Sequence, residues 1–129
     1  MKIEHIAIWA RDLEKLRAFY GRYFAAQSGD KYVNDQKGFS SYFLSFDTGA
    51  RLELMQMDSV TESGATAGAN VYGITHLAFS VGSKERVDQM TDQFRKDQFE
   101  ILDGPRTTGD GSYESVVLDP EGNRLEICV

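Results

Sequence analysis

The sequence predicts an α+β fold made of two copies of one strand–helix–strand–strand–strand unit. Three observations carry that prediction. The chain's only two histidines open nearly the same phrase, His5-Ile6-Ala7-Ile8 and His76-Leu77-Ala78-Phe79. A second shared phrase answers each of them, Arg51-Leu52-Glu53-Leu54 and Arg124-Leu125-Glu126-Ile127, so that histidine and glutamate stand 48 residues apart from 5 to 53 and 50 apart from 76 to 126. Between the copies, residues 58–73 turn to Ser, Thr, Ala and Gly without apolar periodicity, and the order of elements then restarts.

In the first copy, Ile3–Trp9 is apolar and β-branched and reads as a strand. Asp12 is a helix N-cap, followed by Leu13, Leu16, Tyr20 and Tyr23 at helical spacing. Lys31–Val33 reads as a short strand. Phe39–Asp47 and Arg51–Met57 read as strands joined by a turn at Thr48-Gly49. In the second copy, Ile74–Val81 is a strand, Ser83 caps a helix bearing Val87, Met90 and Phe94, and Phe99–Leu102 is a short strand. Gly104–Ser112 reads as a loop, either a plain hairpin connection or a lid over a site. Tyr113–Leu118 and Arg124–Val129 close the copy. Asp119-Pro120-Glu121-Gly122 has the residue order of a type I turn. Helices grouped against a mainly antiparallel sheet define the α+β class.

These elements form one domain over residues 1–129, with a first module at about 1–57, a linker at about 58–73 and a second module at about 74–129. A chain of 129 residues buries a core without needing a disulfide. Its formal charge is −6 and it has no lysine- or arginine-rich run, which excludes a nucleic-acid footprint and an anionic membrane surface. No segment has membrane-spanning length and the chain enters a strand pattern at once, so a cytoplasmic location is the expectation. The single cysteine, Cys128, reads as a strand residue.

Strand alternation places the chemistry. Ile6 and Ile8 share one face while His5, Ala7 and Trp9 share the other. Leu77 and Phe79 likewise oppose His76 and Ala78, Leu52 and Leu54 oppose Glu53, and Leu125 and Ile127 oppose Glu126. With the apolar sets under the helices, two histidines and two glutamates occupy the face turned away from them. Taken singly, each has an ordinary reading as a solvated strand residue. Their equivalent positions in two copies favour a metal site, and the mixed N/O set suits Zn, Ni, Co, Mn or Fe(II). Trp9 is a candidate pocket wall, although an aromatic near a strand end is as often core. Arg51 and Arg124, two residues before the glutamates, are candidates to recognise a substrate carboxylate, or they simply pair with acidic neighbours. Met55, Met57 and Met90 read as packing residues.

Four segments, His5-Ile6-Ala7-Ile8, Phe19-Tyr20, Gly73–Phe79 and Asp119-Pro120-Glu121-Gly122-Asn123-Arg124-Leu125-Glu126-Ile127, resemble the vicinal oxygen chelate superfamily. That group includes glyoxalase I, bleomycin resistance proteins, fosfomycin resistance enzymes, extradiol dioxygenases and methylmalonyl-CoA epimerase. The resemblance covers essentially the whole chain, and its closing Asp-Pro-x-Gly-Asn-x-x-Glu phrase is the most specific part. It implies paired βαβββ modules curled into a funnel around one divalent metal, with helices on the outer face. It also implies a homodimer and a small-molecule substrate.

The His–Glu–His–Glu set is similar to that of glyoxalase I, which makes His5, Glu53, His76 and Glu126 the ligands, with Ni or Co favoured and Zn, Mn or Fe admitted. The implied activity is a lyase/isomerase reaction on a hemithioacetal through a metal-stabilised enediolate, with Glu126 the first choice as base and Glu53 sharing the transfer or remaining a ligand. The first helix lacks the Leu-Gly pair common after this helix in glyoxalase I, and no residue set maps onto glutathione recognition. An epimerase of the methylmalonyl-CoA type and a non-catalytic, bleomycin-resistance-like binding protein are the alternatives.

Overall fold

A computed structural model describes residues 1–62 and 64–129. One residue of the expected 58–73 linker, Ser63, lies outside the described residues. The chain divides into two compact units, Met1–Ser63 and Gly64–Val129. Two helices and two mixed sheets give the α+β class that the sequence predicts. Among the described residues, no helix is long and apolar enough to cross a membrane.

The first unit runs β1 (His5–Trp9), α1 (Leu13–Phe24), β2 (Gln27–Ser28), β3 (Tyr32–Asn34), a 3-10 turn (Asp35–Lys37), β4 (Phe39–Ser45) and β5 (Arg51–Met57). The sheet order is β1-β5-β4-β2, with β3 also paired to β4. Asp12 caps α1 by accepting from the Lys15 amide at 2.9 Å, and Ala25 ends the helix with φ 53 in the left-handed region. Leu13, Leu16, Phe19 and Tyr20 are buried. They share the core with Leu44, Leu52 and Leu54, each side chain contributing ~1.5–3 kcal/mol by leaving water. Phe19 takes an inward place that the helical spacing had given to Tyr23, which is only half-buried.

The second unit runs β6 (Leu77–Ser80), α2 (Lys84–Lys96), β7 (Ile101–Thr107), β8 (Tyr113–Leu118) and β9 (Arg124–Cys128), in the sheet order β6-β9-β8-β7. Ser83 caps α2 by accepting from the Arg86 amide at 3.2 Å. Val87, Met90 and Phe94 face the core as expected, together with Val117, Leu125 and Ile127. The buried Thr91 hydroxyl is satisfied by the Val87 carbonyl at 2.7 Å and the Ser115 hydroxyl at 2.6 Å.

Each sheet is antiparallel apart from one pair: β1 runs parallel to β5, and β6 parallel to β9. Parallel mates require a crossover, and in both units the helix and the remaining strands supply it.

Three expectations are corrected. The first unit holds two short strands, β2 and β3, where the sequence shows one. The strand read over Ile74–Val81 is confined to Leu77–Ser80, so His76 immediately precedes it. Gly104–Ser112 is not one loop, since β7 continues through Thr107. Gly104 and Pro105 signal a loop in sequence, but β7 is an edge strand with register shifts, where a missing amide and an extra residue are tolerated. A Cβ on Gly104, at φ +84, would lie 2.6 Å from the Glu114 carbonyl oxygen, so only glycine permits this approach. The true connection, 108–112, is closed by the Thr108 amide donating to the Ser112 carbonyl at 2.8 Å.

The composition of 58–73 reads as a linker, yet part of it is built into the second unit. The Gly68 amide donates to the Gly122 carbonyl at 3.2 Å. A Cβ on Gly68 would meet Leu102 and Leu118 at 3.1 and 3.2 Å.

Candidate metal centre

The two parallel pairs set the same register around both glutamates. Ala7 pairs with Glu53 and His5 with Arg51. Ala78 pairs with Glu126, which places His76 beside Arg124. Residues paired across a ladder, and every second residue along a strand, share a face, so each histidine lies diagonally next to its glutamate. Burial follows the alternation: Leu52, Leu54, Leu125 and Ile127 are buried behind the sheets, and the glutamates between them are half-buried on the other face.

In the first unit, His5 Nε2 lies 3.8 Å from Glu53 Oε2. In the second, His76 Nε2 lies 2.7 Å from Glu126 Oε2. Imidazole nitrogen and carboxylate oxygen therefore converge twice, from strands far apart in sequence. Both histidines are about two-fifths exposed and both glutamates below one-fifth, at 39% and 43% against 15% and 17%. Among the described residues, no three His, Cys, Asp or Glu side chains form one group fit to hold a metal ion. What each unit provides is a pair.

The surroundings of the pairs differ. In the first unit, the Glu4 carboxylate accepts from His5 Nδ1 on one oxygen and from Arg51 on the other, Arg51 Nε lying 2.9 Å away. The His5 hydrogen bond, and then that of Arg51, hold the Glu4 carboxyl below the usual carboxylate range. The Arg51 guanidinium stacks 4.2 Å over the Phe43 ring, and that ring meets His5 edge-on at 5.3 Å. Trp9 follows on the same face, 42% exposed and edge-on to Phe39 at 6.3 Å.

In the second unit, Arg124 turns to structure instead. Its Nε and a terminal nitrogen donate to the Gly68 carbonyl at 2.8 and 2.5 Å. Beside Glu126 stands a carboxylate that the sequence reading passed over. Glu114 is 7% exposed and shares a face with Glu126, because Val116 pairs with Glu126 and Glu114 with Cys128. A hydrogen bond shared with Glu126 and burial push the Glu114 carboxyl up to about 7, so near neutrality Glu114 keeps a share of its proton. Arg106, 3.4 Å from Glu114, offsets part of this.

Glu114 was findable. The Asp119–Gly122 turn fixes the β8–β9 hairpin, and counting back from it puts Glu114 on the face of Glu126. The turn forms as expected, with the Gly122 amide donating to the Asp119 carbonyl at 3.0 Å. The Asp119 carboxylate also accepts from the amides of Glu121 and Asn123, each at 2.9 Å.

Two βαβββ-type units present equivalent His–Glu pairs, and comparison with known proteins shows the family. The model of the Glyoxalase/Bleomycin resistance protein/Dioxygenase superfamily matches residues 2–127, and the chain belongs to that superfamily. It is 28% identical, over 97% of its length and 96% of the relative's, to the uncharacterized protein YqjT of Bacillus subtilis (strain 168). Its fold is similar to that of the trypanothione-dependent glyoxalase I of Leishmania major, with a TM-score of 0.75 at 21% identity over 99% of this chain and 86% of that one. It is also similar to the fosfomycin resistance protein FosX of Listeria monocytogenes, with a TM-score of 0.70 at 21% identity over 98% and 89%.

Proposed function

We propose that the chain is a divalent-metal-dependent lyase/isomerase of the glyoxalase I type, acting on the hemithioacetal formed by a 2-oxoaldehyde and a thiol. The observation that carries this reading is the pair of His–Glu contacts at one register, His5–Glu53 at 3.8 Å and His76–Glu126 at 2.7 Å. Two imidazoles and two carboxylates form a donor set of intermediate hardness that fits Ni, Co, Zn, Mn or Fe(II), and the resemblance to glyoxalase I favours Ni or Co among them. His5, Glu53, His76 and Glu126 would hold the ion, from one chain or from modules of two chains in a homodimer. When bound, it supplies Lewis acidity to vicinal substrate oxygens.

The chain's own residues do the proton work. Glu126 takes the proton from the carbon bearing sulfur and hydroxyl and returns it to the neighbouring carbonyl carbon, while the hydroxyl proton passes to the former carbonyl oxygen, so that the hemithioacetal becomes a 2-hydroxy thioester of the same composition. Glu126 is the first choice as base, and beside it stands Glu114, a second carboxyl able to hold a proton near neutrality. Glu53 remains a ligand or shares the transfer. Within the first unit, Trp9 and Phe43 stand on the face of His5 and Glu53 with Arg51 stacked on Phe43, and these side chains would line the substrate there.

The test is metal analysis of the purified protein together with turnover of methylglyoxal–thiol adducts, with Glu126→Gln as control. Stoichiometric metal and turnover that Glu126→Gln abolishes are expected. Stoichiometric metal without turnover on any thiol adduct would sink the glyoxalase assignment and leave the site. A protein that gains no Ni, Co, Zn or Mn would sink both. Tight small-molecule binding unchanged by His5→Ala and His76→Ala would instead mark a non-catalytic binding protein.

A further inference from the structure

We infer that Glu4 is a positioning residue for His5: it keeps the imidazole proton on Nδ1 and so presents the Nε2 lone pair on the side where Glu53 stands. The inference rests on the metal reading above, but its geometry lies wholly within the first unit. A neutral imidazole carries its proton on the nitrogen that has an acceptor, and the other nitrogen is left to bind a cation. The ionised Glu4 carboxylate is an acceptor only, so the ring nitrogen facing it, Nδ1, is the one that donates. Nε2 lies 3.8 Å from Glu53 Oε2, too far for a hydrogen bond, and is free for another partner.

Glu4 is itself held. Its Oε1 accepts from Arg51 while Oε2 accepts from His5, and its carbonyl accepts from the Arg51 amide at 3.0 Å. Arg51 is fixed in turn over Phe43 at 4.2 Å, and the edge-on contact of Phe43 with His5 at 5.3 Å closes the circle. Tautomer and ring orientation are thus set by a ring of four side chains. The second copy cannot build it, because Thr75 precedes His76 and Arg124 is engaged with Gly68. An exposed ion pair contributes little to folding, so the work of this arrangement is orientation.

The experiment measures Ni(II) and Zn(II) affinity by competition with a chromophoric chelator in the full chain, in Glu4→Ala, in Glu4→Gln and in a charge control, Asp92→Asn, on an exposed part of α2. It also reads the His5 tautomer by nitrogen-15 NMR of the metal-free protein. Expected are the Nδ1–H tautomer in the wild type, affinity ~10–100-fold weaker in Glu4→Ala, an intermediate loss in Glu4→Gln, whose amide oxygen still accepts, and no change in Asp92→Asn.

Unchanged affinity in Glu4→Ala, or a wild-type His5 protonated on Nε2, would overturn the role of Glu4 and leave the metal reading intact. Equal losses in Glu4→Ala and Glu4→Gln would make Glu4 a mere charge and overturn positioning. A wild type that binds neither metal would overturn the metal reading, and this inference with it.

Discussion

The two units hold the same His, Arg and Glu at the same register and use them differently. In the first, Arg51 braces Glu4 and stacks on Phe43, leaving His5 and Glu53 3.8 Å apart. In the second, Arg124 ties residue 68 to β9, and His76 and Glu126 lie in contact at 2.7 Å, backed by a buried carboxyl. Ser41 pairs with Met55 in the first unit as Glu114 pairs with Cys128 in the second, so one register position carries a hydroxyl in one copy and an acid in the other. Sheet register fixes where a side chain stands, and its neighbours decide its chemistry. The first unit is built to orient, the second to hold a proton.

The largest effect should come from dividing the glutamates. Glu126→Gln is expected to lower kcat on a methylglyoxal–thiol adduct by ~10²–10⁴-fold, the range for loss of a general base, and Glu53→Gln by less. Steady-state kinetics on metal-loaded variants decides, and a larger loss in Glu53→Gln would reverse the comparison.

Next comes the edge of the second sheet, where one bulged strand stands in place of β2 and β3. Gly104→Ala puts a methyl group against the Glu114 carbonyl at positive φ and should cost ~2–4 kcal/mol, read as a lower Tm. An unchanged Tm would mean that the bulge relaxes freely.

Acidity should separate the units further. Glu114 has a folded-state value of about 7, above its ordinary 4.5. The folded state therefore binds the extra proton, and stability falls as pH rises from about 4.5 to about 7, by on the order of 2 kcal/mol. Thermal melts of chelator-stripped protein should show this fall, and Glu114→Gln should flatten it. Glu14 behaves oppositely. Hydrogen bonds from Lys31 and then Tyr42 lower its value, so the stability it gives is present above the unfolded value and is lost as pH falls through the folded one. Glu14→Gln should lower melts near neutrality by the small amount that an exposed network contributes, and reduce the further loss in acid by the same amount.

The smallest split is between the arginines. Arg124→Gln should cost ~1–2 kcal/mol by removing half-buried donors from the Gly68 carbonyl, and Arg51→Gln little in urea melts. Equal costs would erase the distinction.

Much of this was legible because the repeat and the alternation are local patterns. The Leu52/Leu54 and Leu125/Ile127 sets, both helix caps and the Asp119 turn all read directly from residue type and spacing. Misreadings occurred where tertiary context outweighed a local signal. Gly104 and Pro105 look like a loop until one sees that β7 is an edge. Residues 66–69 look like a tether until Gly68 is found against Leu102 and Leu118. Glu4 lies just ahead of β1, outside the alternation that selected its neighbours, and the task of Arg124 depends on a carbonyl 56 residues away.

The parallel mating of each unit's first strand with its last has a consequence for assembly. His5 meets Glu53, and His76 meets Glu126, only across the full length of their units, among the most non-local contacts each unit makes. Contacts of that kind wait for chain entropy to be surrendered along the whole intervening segment. Each His–Glu pair is therefore a clasp that fastens when its unit is complete, and a chain released before Arg51 carries the histidine of the first clasp without its glutamate.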